Sequence, residues 1–393
     1  MVADTVGAIV AGARCPEVIG LAATASAQVG GSAAILTAEL PRTNPAYAAF
    51  VNAVAAVSLE LDEGGDGGHG AAHVVPAALA AAQHVGATGR EFLTAVVAGY
   101  EVATRLGAAV TWHPSVHGHG HVGSVGAAVA VSLLLGRDQV AAARLASNLP
   151  VATMYAACFE GATVRNVWPG ISNQFAFMVN DLAQAGFTSS ANATAEAFGT
   201  VLGRVERVDL LRPSFADQHL MLLRNSFKLH SCCFETHAAL EAAIGMGPIA
   251  AADVTHIDIE LADVQLDQAT NGTPLANRFS IPYVVATALV HGHARPDAFA
   301  TTPDVLDLSR RVVVRACDGT DPVTPGGARV TVTDIHGRHQ MAVDRPYGSY
   351  PDVVTIGDLR TKFLAGVRST DREGLFDRLM TLPQLGAVSD LFE

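Results

Sequence analysis

The periodicity of the apolar residues changes once along this chain, and that change limits which parts can be helix and which can be sheet. Up to about residue 215 the apolar residues recur at helical spacing among many alanines. Thr88-Gly-Arg-Glu91 is a capping box, and behind it Phe92, Leu93, Val96, Val97 and Tyr100 mark one helical face. Further helices are predicted over Pro45–Leu59, Val122–Leu135, Gln139–Asn148 and Ser172–Ala185. Another is predicted over Ala77–Val85, with Pro76 in its first turn, where a missing N–H costs nothing. Beyond residue 218 the pattern alternates. Ile257, Ile259 and Leu261 share one face, Val312–Val314 and Arg329–Thr333 are β-like, and Asp318-Gly319 and Gly326-Gly327 are turn signals. Helices over Phe234–Ile244 and Pro282–His291 are expected to cover this sheet, and helical spacing returns at Ile356–Val367 and Arg372–Leu382. The expected fold is therefore mainly α. Both chain ends, residues 1–217 and 351–393, form a large all-helical domain, and a smaller α+β domain is inserted at 218–350.

Composition narrows the function. Half of the 393 residues are hydrophobic and 16% are charged, which excludes a disordered chain. The 25 basic and 37 acidic side chains give a net charge of −12, with no Lys/Arg run, so neither nucleic acid nor an anionic membrane is an expected partner. The basic residues are 23 Arg and two Lys, Lys228 and Lys362. Five cysteines without a C-x-x-C pair indicate a reduced, cytoplasmic protein. Residues 1–13 carry Asp4 and no Lys or Arg, unlike a secretory leader. Leu106–Gly136 has no acidic or basic side chain apart from four histidines, but its uninterrupted apolar part, Val122–Gly136, is 15 residues, short of the roughly 20 that span a bilayer. It is expected to be a buried helix.

Four segments concentrate unusual polar residues. Glu60-Leu-Asp-Glu-Gly-Gly-Asp-Gly-Gly-His69 runs from a helix end into a glycine-rich loop that offers Asp62, Glu63 and His69 for acid–base work, or forms a solvated acidic loop. His113-Pro-Ser-Val-His117-Gly-His119-Gly-His121 supplies imidazoles suited to proton transfer near neutral pH. No H-E-x-x-H or Cys/His ligand spacing accompanies it, so no metal is expected there. Arg165 precedes a predicted helix start, where its guanidinium and free N–H groups would hold a carboxylate. Phe227-Lys228-Leu-His230-Ser-Cys232-Cys233 lies at the predicted domain junction, and a lysine among apolar residues is a compact charge able to lose its proton. No G-x-S-x-G elbow supports a serine hydrolase. Together these segments describe a two-domain enzyme with a cleft for a small anion.

Read in order, they resemble the MmgE/PrpD family, which includes 2-methylcitrate dehydratases, cis-aconitate decarboxylases and iminodisuccinate epimerases. The resemblance runs through Leu59–Glu63, His69–Leu79, Gly99-Tyr-Glu-Val102 with Arg105, His117 with Gly123–Ala128, and Arg165 with Pro169-Gly170. It continues through Ala185-Gly-Phe-Thr188, Phe227–His237, Phe279–Tyr283 and Thr361-Lys362-Phe363. Arg165 stands where many members have Lys, Gly70 replaces Pro, Glu63 replaces Asp, and His119 occupies a position that is often Thr.

The resemblance implies a homodimer without a cofactor, acting on small di- or tricarboxylates at a site between the domains. Carried over by position, His69 and His117 form an acid–base pair. Asp62 orients a histidine, Tyr283 is a proton donor, Lys228 and Arg165 anchor carboxylates and stabilise charge, and His119 contacts substrate. The expected reaction is dehydration of a 2-methylcitrate-like hydroxy acid by proton abstraction next to a carboxylate. Decarboxylation of a cis-aconitate-like acid and epimerisation at an α-carbon are the alternatives. An alternative of another class is a non-catalytic protein that binds metal or ligand through His113–His121.

Overall fold

The computed structural model describes residues 1–26, 31–212, 220–247, 249–262, 272–317, 323–352, 354–367 and 373–392. The chain is mainly helical, with a smaller α+β part. One core is built by the helices Val2–Gly12, Pro45–Val57, Gly70–Val85, Gly89–Ala109, Val122–Leu135 and Val164–Gln184. Buried alanines such as Ala71, Ala77, Ala127 and Ala130 let these helices approach closely. Thr88 and Glu91 form the capping box that starts the fourth of them. The C-terminal helices Ile356–Gly366 and Glu373–Met380 deliver Phe363, Phe376 and Leu379 into the same core. The Lys362 ammonium reaches Asp4 Oδ1 at 2.5 Å and the Leu61 carbonyl at 2.7 Å, tying the end of the chain to its start and to the acidic segment.

Two departures from the sequence reading have clear causes. Pro76 lies inside the helix Gly70–Val85 rather than at its start. A proline there leaves the carbonyl four residues back without its helical donor, and Asn173 Nδ2 donates to that carbonyl, Ala72 O, at 3.2 Å. Helix Val2–Gly12 escaped notice because it is buried along its whole length and has no polar face to set a period.

The second core lies on a four-stranded sheet in the order Val312–Ala316, Val254–Leu261, Ala328–Asp334, Gly337–Val343. The first pair is parallel and the others antiparallel, with Ile257 opposite Val312 and Ile259 opposite Val330. Ile257, Ile259, Val330 and Val332 face the helices His237–Gly245 and Ile281–His291. The edge strand Gly337–Val343 is exposed along nearly all of its length and opens on Gly-Arg-His-Gln, so apolar alternation could not reveal it. The expected turn at Gly326-Gly327 is present, whereas Asp318-Gly319 and the 217/218 boundary lie outside the described residues. No single described helix is long and apolar enough to cross a membrane. Leu106–Gly136 divides into a helix end, the strand Val110–Trp112, the histidine loop and the buried helix Val122–Leu135.

Candidate active site

Where the chain leaves helix Pro45–Val57, Glu60 adopts a φ of 52°, a region costly for a residue with a Cβ. Its carboxylate bridges two cations. Arg165 Nη1 lies 2.5 Å from Oε1, and Lys228 Nζ donates to Oε2 at 2.8 Å. Lys228 also donates to Asp62 Oδ1 at 3.2 Å. Each of these four side chains is no more than 1% exposed. Backbone pairing between Gly64 and Ser226 holds the two segments side by side. The group is charge-balanced, two carboxylates against two cations, as buried ions must be. Burial alone would lower the Lys228 pKa, but Asp62 and Glu60 overcome it and raise it above the ordinary lysine range. Burial would raise Asp62, yet Lys228 and His69 hold it well below the carboxylate range.

The histidines occupy the next layer. His69 Nδ1 lies 2.8 Å from both the Glu63 carbonyl and Asp62 Oδ2, and the hydrogen-bond geometry favours the carbonyl. A carbonyl only accepts, so Nδ1 carries the proton and neutral His69 presents a lone pair at Nε2. His117 is the reverse. Its Nδ1 accepts the backbone N–H of His119 at 3.1 Å, which leaves the proton of the neutral ring on Nε2. His73 Nδ1 donates to the His69 carbonyl and Nε2 accepts the Gly120 N–H, so this ring braces the histidine loop against helix Gly70–Val85. It fits because residue 123 is glycine; a Cβ there would lie 2.2 Å from the His73 ring. His119 sits among the others, its ring centroid 4.7 Å from that of His69, 4.6 Å from His117 and 5.1 Å from His73. A cavity of about 300 Å³ is lined by these four rings, Tyr155 and Glu235, with further glycine-rich backbone.

Burial depresses the pKa of several histidines below the ordinary 6.5, to about 4 for His73 and His121 and well below 6.5 for His117, His119 and His237. As pH falls through 6.5 the unfolded chain takes up protons that the native state refuses until about pH 4. Their contribution to stability is complete above pH 6.5 and is lost toward pH 4, at roughly 3 kcal/mol for each group shifted to about 4. Glu63, pushed up to about 7 by burial, acts in the opposite sense and offsets only part of this loss. Denaturant midpoints at pH 7, 5.5 and 4 are expected to fall steeply, and less steeply in His121→Gln; a flat profile above pH 4.5 would contradict the burial described.

Of the residues singled out from sequence, Asp62, His69, His117, His119, Arg165 and Lys228 come together. Tyr283 does not join them. It is buried in the sheet core, and its hydroxyl donates to the Ala300 carbonyl at 3.2 Å. Three expectations need correction. Lys228 is held charged between two carboxylates and is not poised to lose its proton. Arg165 stands in the first turn of the helix Val164–Gln184 rather than before a helix, and its guanidinium is engaged by Glu60 instead of free for a ligand. The glycine-rich loop lines the cavity at Gly65, Gly67 and Gly68, but its tightest approach is to protein, since a Cβ at Gly67 would meet the Thr104 carbonyl oxygen at 2.2 Å.

The histidine run does not converge as a unit. His113 is exposed, and His121 Nε2 donates to Thr153 Oγ1 at 2.7 Å. Sequence reasoning missed Glu60, His73 and Tyr155. The acidic run contained Glu60, but nothing in the sequence marked it as the hub.

The comparisons with known proteins decide the family. The MmgE/PrpD N-terminal domain matches residues 1–206, and the MmgE/PrpD C-terminal domain matches residues 230–373. The chain belongs to the MmgE/PrpD family. Two curated relatives, a cis-aconitate decarboxylase of Aspergillus terreus and another of its strain NIH 2624 / FGSC A1156, are 23% and 22% identical over 402 residues. Each alignment spans 90% of this chain and 81% of the relative. In this MmgE/PrpD chain the matches to the two family domains also take in all of the clustered residues, Glu60 and Asp62 in the first, except Lys228, which lies in the interval between the two matched ranges.

Proposed function

We propose that this MmgE/PrpD chain is a lyase that moves a proton at a carbon next to a carboxylate, with dehydration of a small hydroxy acid as its reaction. The observation that carries this reading is the pair of opposite tautomers on one cavity. His69 offers a lone pair at Nε2 and His117 a proton at Nε2. Dehydration uses both, because a base takes the α-proton while an acid protonates the departing hydroxyl. Asp62, 2.8 Å from the same ring as the base, stabilises the imidazolium formed when His69 accepts that proton. Tyr155, whose ring centroid is 4.8 Å from that of His117, is pushed up to about 12 by burial and therefore stays a neutral hydroxyl beside it.

A second reading, decarboxylation of a cis-aconitate-like acid, is favoured by the names of the two relatives. It needs the donor His117 to quench the carbanion left by CO₂, and has less use for the base. Proton NMR of a panel of citrate-like and aconitate-like acids separates the two. An alkene signal formed with loss of water supports dehydration, whereas CO₂ release with a new C–H signal supports decarboxylation. Absence of any turnover over the panel, with folded protein, would sink the carboxylate lyase reading.

A further inference from the structure

The cations expected to anchor a carboxylate are occupied. Arg165 and Lys228 are engaged by Glu60 and Asp62, and the described residues that line the cavity include no lysine or arginine. If the proposed function holds, a substrate carboxylate needs other donors, and a helix N-terminus is a ready source of them. Helix Val122–Leu135 starts at the cavity, where Val122, Gly123 and His119 form part of the wall. We infer that the carboxylate of the substrate is bound by the backbone N–H groups of Val122 and Gly123 together with the ring N–H of His119.

All three donors are unpaired. The N–H groups of Val122 and Gly123 reach no acceptor among the described residues, whereas the next one, at Ser124, donates to the His121 carbonyl at 3.0 Å. His121 is the N-cap residue, but its ring is bonded to Thr153 Oγ1 and does not cap the helix. His119 is 1% exposed, and neither of its ring nitrogens has a hydrogen-bond partner among the described residues. Burial holds its pKa well below 6.5, so the ring is neutral and carries one N–H. Such groups are costly when buried and unpaired, and the two oxygens of one carboxylate accept from all of them.

The neighbouring helix already uses its N-terminus in this way. Helix Gly70–Val85 also opens on the cavity, and there the Ala71 N–H donates to the carboxylate of Glu63 at 2.5 Å. Helix Val122–Leu135 has no acidic residue in its first turn, so the positive end of its dipole is unanswered. Asp66 and Glu235, the acidic lining residues, are exposed, while Val122, Gly123 and His119 are buried. The acids therefore mark the mouth of the cavity and the donors its inner end. The His119 ring is 4.7 Å from that of His69, which brings the bound carboxylate next to the base. When His69 Nε2 takes the proton, the C–H electron pair spreads onto this carboxylate, and the added charge falls at the positive end of the helix.

Succinate, which has no hydroxyl to lose, tests the subsite without turnover. Calorimetric titration is expected to show one succinate per chain and no binding of succinamide, its uncharged counterpart. In His119→Leu the affinity should fall about 10–100-fold, the value of a hydrogen bond to a charged group. The ligand-free variant should be no less stable to denaturant than the parent, because leucine leaves no buried polar atom unpaired. His113→Gln, whose ring is exposed, should bind as the parent does. A crystal structure with succinate should place a carboxylate against the Val122 and Gly123 N–H groups. Absence of binding, equal affinity for succinamide, unchanged affinity in a folded His119→Leu, joint loss of stability and affinity in that variant, or a carboxylate seated elsewhere would each overturn the inference. Succinate binding as described, with no hydroxy acid turned over, would sink the lyase reading alone. Turnover that His119→Leu leaves unimpaired would sink the subsite alone.

Discussion

Glu60→Gln is expected to destabilise the protein by about 3–5 kcal/mol, the cost of breaking a buried ion pair by removing one partner. Glutamine keeps the shape of the side chain but not its charge. Arg165 and Lys228 would then share the single carboxylate of Asp62 in a place where neither cation reaches water. The φ of 52° at Glu60 means that the native backbone is already held in a costly conformation, repaid by the two ion pairs. Chemical denaturation read by circular dichroism measures the loss. In the double variant Glu60→Gln/Arg165→Met the surplus charge is gone, and part of the stability should return. A loss below 1 kcal/mol in Glu60→Gln, or no recovery in the pair, would show that the network contributes little.

The second large effect is on turnover. His69→Gln is expected to lower kcat by about 10²–10⁴-fold, the usual value of a placed proton-transfer group, once a substrate is in hand. His117→Gln should do the same by removing the acid. Deuterium exchange at the α-carbon in D₂O distinguishes the two roles from mere packing: exchange should be lost without the base His69 and should persist without the donor His117. A fall of less than tenfold in both variants would remove the histidines from the chemistry. His69 is only partly buried, with 25% of its side chain exposed, so its replacement is expected to leave the fold largely intact.

The helical frame and the sheet were legible because local patterns carry them. The capping box at Thr88, the helix Val122–Leu135 and the alternation through Ile257 and Ile259 are all present where their spacing placed them. What local pattern misses is any element whose stability comes from elsewhere. Gly337–Val343 is a mostly exposed strand fixed by its pairing with Ala328–Asp334, and Pro76 is tolerated inside a helix because Asn173 lies 101 positions away in sequence but within hydrogen-bond reach of Ala72. The candidate site follows the same rule. His69, His117 and Asp62 stand out by residue type, but which ring nitrogen holds the proton depends on the Glu63 carbonyl and the His119 N–H. The partners of Lys228 are likewise 166 and 168 positions away. Tyr283 was carried over by its place in a motif, and the sheet core claims it instead.

The packing of helix Val2–Gly12 bears on how the protein is made. Its eleven residues are synthesised well before the C-terminal helices that pack on them and are buried along their whole length. The charge that answers Asp4 is on Lys362, 358 positions later, and Phe363 arrives in the same turn of helix. Helix Val2–Gly12 therefore has no finished place to dock until Lys362 and Phe363 have been synthesised. During that interval its apolar surface is a ligand for chaperones and for other nascent chains. Truncation before Lys362 and Phe363 would leave helix Val2–Gly12 without its partners and unfold a part of the molecule remote in sequence.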